Sequence, residues 1–484
     1  MGIVVKQSIK NTLITYLGFA IGAINVLFLF TKFMSSEYYG VIAYILSTAN
    51  ILMPLMAFGT HNTIVKFYTS FKTRQSQNAF LSLMLFLPFV VIVPATILGY
   101  FGFEFISDFL TKENTIIRNY IGYVFIAAIA FAYFEIFYAW SKVQLQSVFG
   151  NFMKEVFHRI CITGLLLCLY FKILNVEQLI VGIIVVYIAR MGIMMLYAFS
   201  LRVPVFKWVK INNVRSILKY TALIVIAGSV ANIILEIDKF MIGQYVAIEN
   251  VAYYGVAIYI ATVVGVPSRS MNQITNPLTA KFLNEKNMLE LRSLYQKSSL
   301  SLLIVSGFIF LIIILNINQL YYLIPDEYTG GVVVVFIIGL VKLFDNALGN
   351  NNSILFNSDY YRVVLFLGVI LAISTIVLNA LLIPEFGING AAYATCLAIF
   401  IYNTIKMLFV YAKFKMLPFT LSTLKTIALI CICGLAFYFW DFQFHPIANI
   451  ALKSLLISLV YGFVVYKYDF SEDISTLMSK MMKR

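Results

Sequence analysis

Charge is what this 484-residue chain has least of: Asp, Glu, Lys and Arg make up 12% of it, where a soluble domain carries about 25%. With 61% hydrophobic residues and a mean hydropathy of +0.91, it has too little polar material to cover a water-facing surface of its size. Length alone would allow about three soluble domains. The apolar runs exclude them, and the class is a polytopic membrane protein.

Other scarcities narrow the reading. The five cysteines (Cys161, Cys168, Cys396, Cys431, Cys433) all lie in apolar stretches. They read as small buried hydrophobes with no disulfide or metal spacing. His158 has no second histidine or cysteine at ligand spacing, so no metal site is expected. The opening MGIVVKQSIKNTLITY has Lys6 and Lys10 ahead of a long apolar stretch, with no small-residue cleavage site, so no cleavable signal is expected. Met-Gly resembles an acylation start, but Lys6 stands where Ser or Thr is wanted. Long loops are missing as well. The outward ones near 101–116 and 318–329 are too short for a catalytic domain, and no hinge-rich linker or low-complexity segment occurs. The expectation is a non-enzyme with no cofactor.

What is present is a series of apolar runs, each near the 20 residues that a membrane span needs. They fall near 9–31, 40–62, 79–101, 117–140, 150–172, 178–200, 216–237, 250–270, 298–317, 330–350, 361–382, 387–411, 420–440 and 446–466, which makes fourteen. The second is softened by Asn50 and Pro54, and the tenth runs into Asn350-Asn351-Asn352. Basic residues test this alternation. With both termini cytoplasmic, only Lys32, Lys112, Arg118, Lys172 and Lys239 fall outside, and Arg159, Arg190 and Lys453 fall within spans. The remaining lysines and arginines lie on the inner side, as the positive-inside rule requires. The net charge of +14 is therefore mostly a topology signal, and its scatter over short loops argues against nucleic acid.

The chain also repeats itself. Residues 38–67 align with 253–282 at a constant offset of 215, with identities that include Tyr38/Tyr253, Tyr39/Tyr254, Gly40/Gly255, Val41/Val256 and Tyr44/Tyr259. Lys-Phe-Met precedes each copy, and Asp238 stands in front of the second. The offset carries spans one and two onto spans seven and eight, six helices further on, so both copies cross in the same direction. The expected architecture is all-α: two parallel six-helix lobes related by a pseudo-two-fold along the membrane normal, 1–205 and 206–415, then two added helices in 416–484. A parallel repeat of this kind commonly places a substrate path between halves that rock to alternate access. A duplicated scaffold without transport is the other reading. Pro54, Pro88, Pro94 and Pro267 interrupt spans and are candidate bends.

Ionisable groups inside spans are costly unless paired or wet, so each is a candidate site. Arg190 is the deepest, beyond the reach of snorkelling. It either lines a polar path or pairs structurally with a helix carboxylate, for which Glu135 is the natural partner. Glu155, His158 and Arg159 share one face of span five by their i, i+3 and i+4 spacing. They read as an interfacial charge cluster or, with Glu135, as a cytoplasmic gate. Glu236, Asp238 and Lys239 lie near the outer end of span seven, where Asp238 and Lys239 form a candidate pair. Lys342 and Asp345 form another in span ten, followed by Asn346 and further amides that either glue helices or bond a polyhydroxyl substrate. Lys453 is expected to snorkel outward.

Three stretches carry a family resemblance. LEIDKFMIGQYVAIENVAYYGVAIYIA (235–261) resembles the seventh-to-eighth helix signature of polysaccharide exporters, and LIPEFGINGAAYATCLA (382–398) resembles their join between helices eleven and twelve. Ser36-Glu37-Tyr38-Tyr39-Gly40 is similarly typical. The family is the Wzx-type flippases of the multidrug/oligosaccharidyl-lipid/polysaccharide (MOP) superfamily, and the resemblance spans essentially the whole chain. It implies a bacterial inner-membrane protein with cytoplasmic termini that moves an undecaprenyl-diphosphate-linked oligosaccharide, an O-antigen or exopolysaccharide repeat, to the periplasmic leaflet. Polysaccharide polymerase machinery is an implied partner, and proton or sodium coupling an implied energy source. For such a substrate, their positions in the spans make Arg190, Lys342 and Asn346 the candidate substrate contacts. Glu135, Asp238, Lys239, Asp345, Glu155 and Arg159 are the candidate coupling or gating groups. The rivals are a MATE-like drug exporter, a lipid II flippase and, without the long polar loop it would need, a membrane polymerase or ligase.

Overall fold

A computed structural model describes residues 3–205 and 214–482. The expected first lobe boundary, 205/206, adjoins residues outside that description, as does the Met-Gly start. Every regular element among the described residues is helical. The principal helices are α1 (Ile3–Ile24), α2 (Ser36–Met56), α3 (Arg74–Phe86), α4 (Phe89–Phe101), α5 (Ile121–Val143), α6 (His158–Tyr170), α7 (Val176–Leu201) and α8 (Val214–Tyr245). They continue as α9 (Glu249–Thr262), α10 (Val266–Asn284), α11 (Met288–Leu315), α12 (Val332–Ala347), α13 (Asn351–Phe356), α14 (Tyr361–Phe414), α15 (Leu421–Tyr438), α16 (Pro446–Lys467) and α17 (Glu472–Met482).

Among the described residues, eleven helices are long and apolar enough to cross a membrane, or twelve if the bent pair Val214–Val230 and Asn232–Tyr245 is one span. The chain is an all-α, multi-pass membrane protein. The count differs from fourteen for two local reasons. The fifth expected span is continuously helical from Val148 to Tyr170, through a π-helical turn at Met153–Phe157, but Lys154, Glu155 and Arg159 make it too charged to count as an apolar span.

The eleventh and twelfth expected spans run together as α14. A straight helix of this length would be about 81 Å long, far more than a bilayer. The chain instead breaks at Gly387, whose φ of 56° and ψ of −132° are not helical. A Cβ on Gly390 would meet the main chain of Leu382 and lie 2.9 Å from Ile383 N, whereas residues eight apart in a straight helix are about 12 Å apart. The EFGING words thus encode a sharp bend: glycine supplies the positive φ, and a second glycine admits the close approach.

The contacts divide the chain into two compact units, Met1–Ala252 and Tyr253–Arg484. In the first, α5 packs against both α2 and α7, and α8 lies along α2. Phe80, Phe134, Tyr138, Trp140 and Met194 form its buried aromatic core. Arg202 seals one end of this unit, donating to Asn78 Oδ1 (2.8 Å), Gln77 Oε1 (2.9 Å) and the Tyr68 hydroxyl. In the second unit, α11 packs against α10, α12 and α15, around Leu303, Leu311, Cys433, Ile457 and Tyr461.

Candidate functional site

The first unit encloses a polar cavity of about 370 Å³. Its walls come from five helices and one π-helical turn. Helix α2 supplies Asn50 and Met53, α5 supplies Phe131 and Glu135, and α7 supplies Tyr187 and Arg190. Asn232, Leu235 and Glu236 come from α8. The π-helical turn and the start of α6 add Lys154, Glu155, His158 and Arg159.

The turn is held where it is by the first helix. Asn25, itself in a π-helical turn, donates to Arg159 O (2.9 Å) and accepts from Thr163 Oγ1 (2.7 Å). Gly18 lies against the Glu155 carbonyl with no room for a side chain. Single π-turns inside helices commonly mark functional sites, and here one carries Lys154 and Glu155 into the cavity wall.

The ion pairs inside this cavity follow a simple pattern. Glu135 bonds Lys154 at 2.6 Å, Glu155 bonds Arg159 at 3.4 Å, and Glu236 bonds Lys239 at 2.9 Å. Each lining carboxylate therefore has its own cation. Arg190 has none among the described residues. It is 7% exposed, and its Nε has no hydrogen-bond partner. Its guanidinium rests on aromatic faces, 4.2 Å from the Phe134 ring centre, 4.8 Å from Tyr187 and 5.5 Å from Phe131. Such stacking offsets part of the cost of burying a cation but leaves the guanidinium N–H groups available. Arg190 lies eleven residues before the end of α7, about 16 Å along the axis, so the charge is held deep within the unit.

Several pairings differ from the sequence expectation. Glu135 is engaged by Lys154 rather than by Arg190. Lys239 pairs with Glu236 and not with its neighbour Asp238, because adjacent residues point about 100° apart on a helix while i and i+3 share a face. Asp238 is buried, at 7% exposure. Lys342 makes no ion pair with Asp345. The Asp345 carboxylate instead accepts from Asn403 Nδ2 at 3.0 Å. Asn346 is 2% exposed and donates to Val264 O (2.9 Å) and Ser306 Oγ (2.6 Å), which makes it interhelical glue in this conformation. Lys453 is buried with its amine 2.9 Å from the half-exposed Asp441, reaching into the 439–445 loop. The structure thus gathers Glu135, Glu155, Arg159 and Arg190 into one cavity, while Lys342, Asp345 and Asn346 belong to the second unit.

Sequence reasoning missed two basic residues. Lys154 falls among the inner-side charges in the sequence, although it anchors Glu135. Lys406 falls near the inner end of an apolar run in the sequence, yet it is 1% exposed, 2.6 Å from Asn352 Oδ1 and 4.1 Å from the Tyr402 ring centre. Asn50 and Asn232, which pair across α2 and α8 (Asn232 Nδ2 to Asn50 O, 3.2 Å), were visible as amides in apolar runs.

Comparison with known proteins places this architecture. The lipid II flippase MurJ in its inward closed conformation superimposes with a TM-score of 0.73 at 15% identity, over 96% of this chain and 100% of that one. The chain has the fold of the MOP superfamily. An inward-facing multidrug resistance MATE transporter of that superfamily gives 0.57 at 13% identity, over 85% and 94% of the two chains. A MOP transporter from Pyrococcus furiosus gives 0.57 at 12% identity, over 86% and 97%, and is described as having a binding pocket of reversed polarity that suggests a different function. Residues 224–383 match the MatE family profile. No curated protein matches the sequence. These fold neighbours are described as a flippase and transporters.

Proposed function

We propose that the protein is a flippase for an amphiphile with an anionic diphosphate head, and that its substrate is an undecaprenyl-diphosphate-linked oligosaccharide. One observation carries this reading: the cavity's carboxylates are each neutralised by a basic side chain, and Arg190 is left as a buried cation with none. A guanidinium presents a fork that suits phosphate oxygens bidentately. A cavity built for cationic drugs would leave a carboxylate in surplus instead. The likeness to MurJ favours a lipid-linked substrate over a soluble one, and lipid II itself is the second reading.

Transport by this scheme involves no covalent step. The head group enters the polar cavity while the polyprenyl tail stays in the bilayer, and the two halves rock to expose the cavity on the other side. The setting is a bacterial inner membrane with both termini cytoplasmic and fourteen crossings, next to a polysaccharide polymerase. Glu135 and the buried Asp238 are the candidates to bind a coupling proton or sodium ion.

Arg190→Ala tests the reading in cells. It should abolish surface glycan display while the protein persists in the membrane at wild-type level. Wild-type display from this variant would remove Arg190 from the path and the proposal with it.

A further inference from the structure

We propose that the Glu135 carboxylate is a resident stand-in for the substrate anion. It holds Lys154 while the cavity is empty and releases it when a phosphate arrives. The inference rests on the anionic head-group reading above.

The three ion pairs of the cavity wall are not equivalent. Glu155–Arg159 and Glu236–Lys239 each join residues one turn apart on a single stretch of chain. Only Glu135–Lys154, nineteen residues apart, joins two separate elements, α5 and the π-helical turn. It is also the tightest of the three, at 2.6 Å. Exchanging its partner would therefore change how two walls of the cavity are held together, whereas exchanging either local pair would not.

The two basic groups differ in mobility. Arg190 is buried under Phe134 and Tyr187 and cannot travel. Lys154 is a point charge on a flexible four-carbon stem, its side chain is 43% exposed, and its partner Glu135 is 16% exposed. Its remaining N–H groups are free to follow an incoming anion. A phosphate bound at Arg190 meets the Glu135 carboxylate as a like charge in a low-dielectric setting, where repulsion is strong. Drawing Lys154 away from Glu135 toward the phosphate supplies the missing counter-charge. The other groups facing this exchange are Glu155, His158, Arg159 and Glu236, with the neutral Asn50, Tyr187 and Asn232. His158 Nδ1 has no hydrogen-bond partner. Of the other two lining cations, Arg159 would abandon its local pair with Glu155 and Arg190 its aromatic seat. The resident carboxylate then acts as a selectivity threshold, since only an anion able to outcompete it gains the second cation.

The test is a binding titration of the purified full chain in detergent with farnesyl diphosphate, using farnesol as the neutral control. Glu135→Gln should tighten diphosphate binding about tenfold, within the usual range of site coupling, because Lys154 is no longer occupied. In a Lys154→Gln background the same change should gain less than about threefold. Glu135→Asp, which keeps the charge on a shorter stem, should fall between wild type and Glu135→Gln and serves as the readout if the glutamine variant misfolds. No tightening in either variant, or an equal gain with and without Lys154, would overturn the stand-in role. Arg190→Ala binding farnesyl diphosphate as wild type does would instead overturn the head-group reading, so the two failures are separable.

Discussion

Gly40 lies with its Cα against the main-chain carbonyl of Ile248, so closely that no side chain fits between them, and Glu249 N would be 3.3 Å from an added Cβ. At its counterpart in the repeat, Gly255, an added Cβ would meet nothing beyond its own stretch of helix within 4 Å. The same Tyr-Tyr-Gly-Val words therefore serve different packing. Gly40→Ala should destabilise the protein by about 1–3 kcal/mol, the usual cost of overpacking. Gly255→Ala in α9 should be neutral or stabilising by up to about 1 kcal/mol, from helix propensity alone. Thermal unfolding in detergent measures both. Equal effects at the two positions would show that the copies pack alike after all.

Asn346 separates glue from substrate contact. Both its amide donors are spent on Val264 O and Ser306 Oγ, and bonds of this kind between membrane helices average about 0.6 kcal/mol, with a maximum near 1.7. Asn346→Ala should lower the melting temperature measurably and leave farnesyl diphosphate binding unchanged. Loss of binding at unchanged stability would return Asn346 to the substrate path.

How much of this was readable beforehand depended on the kind of signal. Membrane class and all-helical fold follow from composition and apolar run length, which are properties of the chain summed over many residues. The sharp bend at Gly387 was readable as a boundary between two runs, since glycine and proline punctuate helices locally. Partner choice was not readable. Whether Glu135 meets Arg190 or Lys154 depends on a π-helical turn that adds one residue to a helical repeat and rotates everything beyond it. No periodicity rule registers that rotation. Lys406 escaped for a different reason: its position near the end of a run looked interfacial, but α13 packs beside α14 and covers it.

That buried lysine makes a prediction of its own. The Lys406 amine is held by Asn352 and the Tyr402 ring, and the nearby Asp345 is engaged by Asn403. Burying an ammonium without an ion pair costs stability that a methionine of similar length would not. Lys406→Met should therefore melt at or above the wild-type temperature. A clear drop would mean that the charge stabilises its surroundings, and that the second unit's polar network depends on it.

Topology yields to labelling. Single cysteines placed in a background freed of the five native ones, at Lys112 and at Lys72, should react differently with a membrane-impermeant maleimide added to intact cells. The positive-inside rule predicts labelling at 112 and protection at 72. The reverse pattern would invert the orientation on which the inward-to-outward direction of transport rests.

Arg190→Lys sharpens the anion-site reading beyond what alanine can show. Lysine keeps the positive charge but loses the planar fork and the broad stacking surface over Phe134 and Tyr187. If the site recognises phosphate geometry, Arg190→Lys should bind farnesyl diphosphate at least about tenfold more weakly than wild type, while exceeding Arg190→Ala, since a lost charge-assisted hydrogen bond is worth roughly 1.5–3 kcal/mol. If the cavity offers only a positive potential, lysine will restore binding fully. That outcome would place selectivity in the Glu135–Lys154 exchange rather than in the guanidinium.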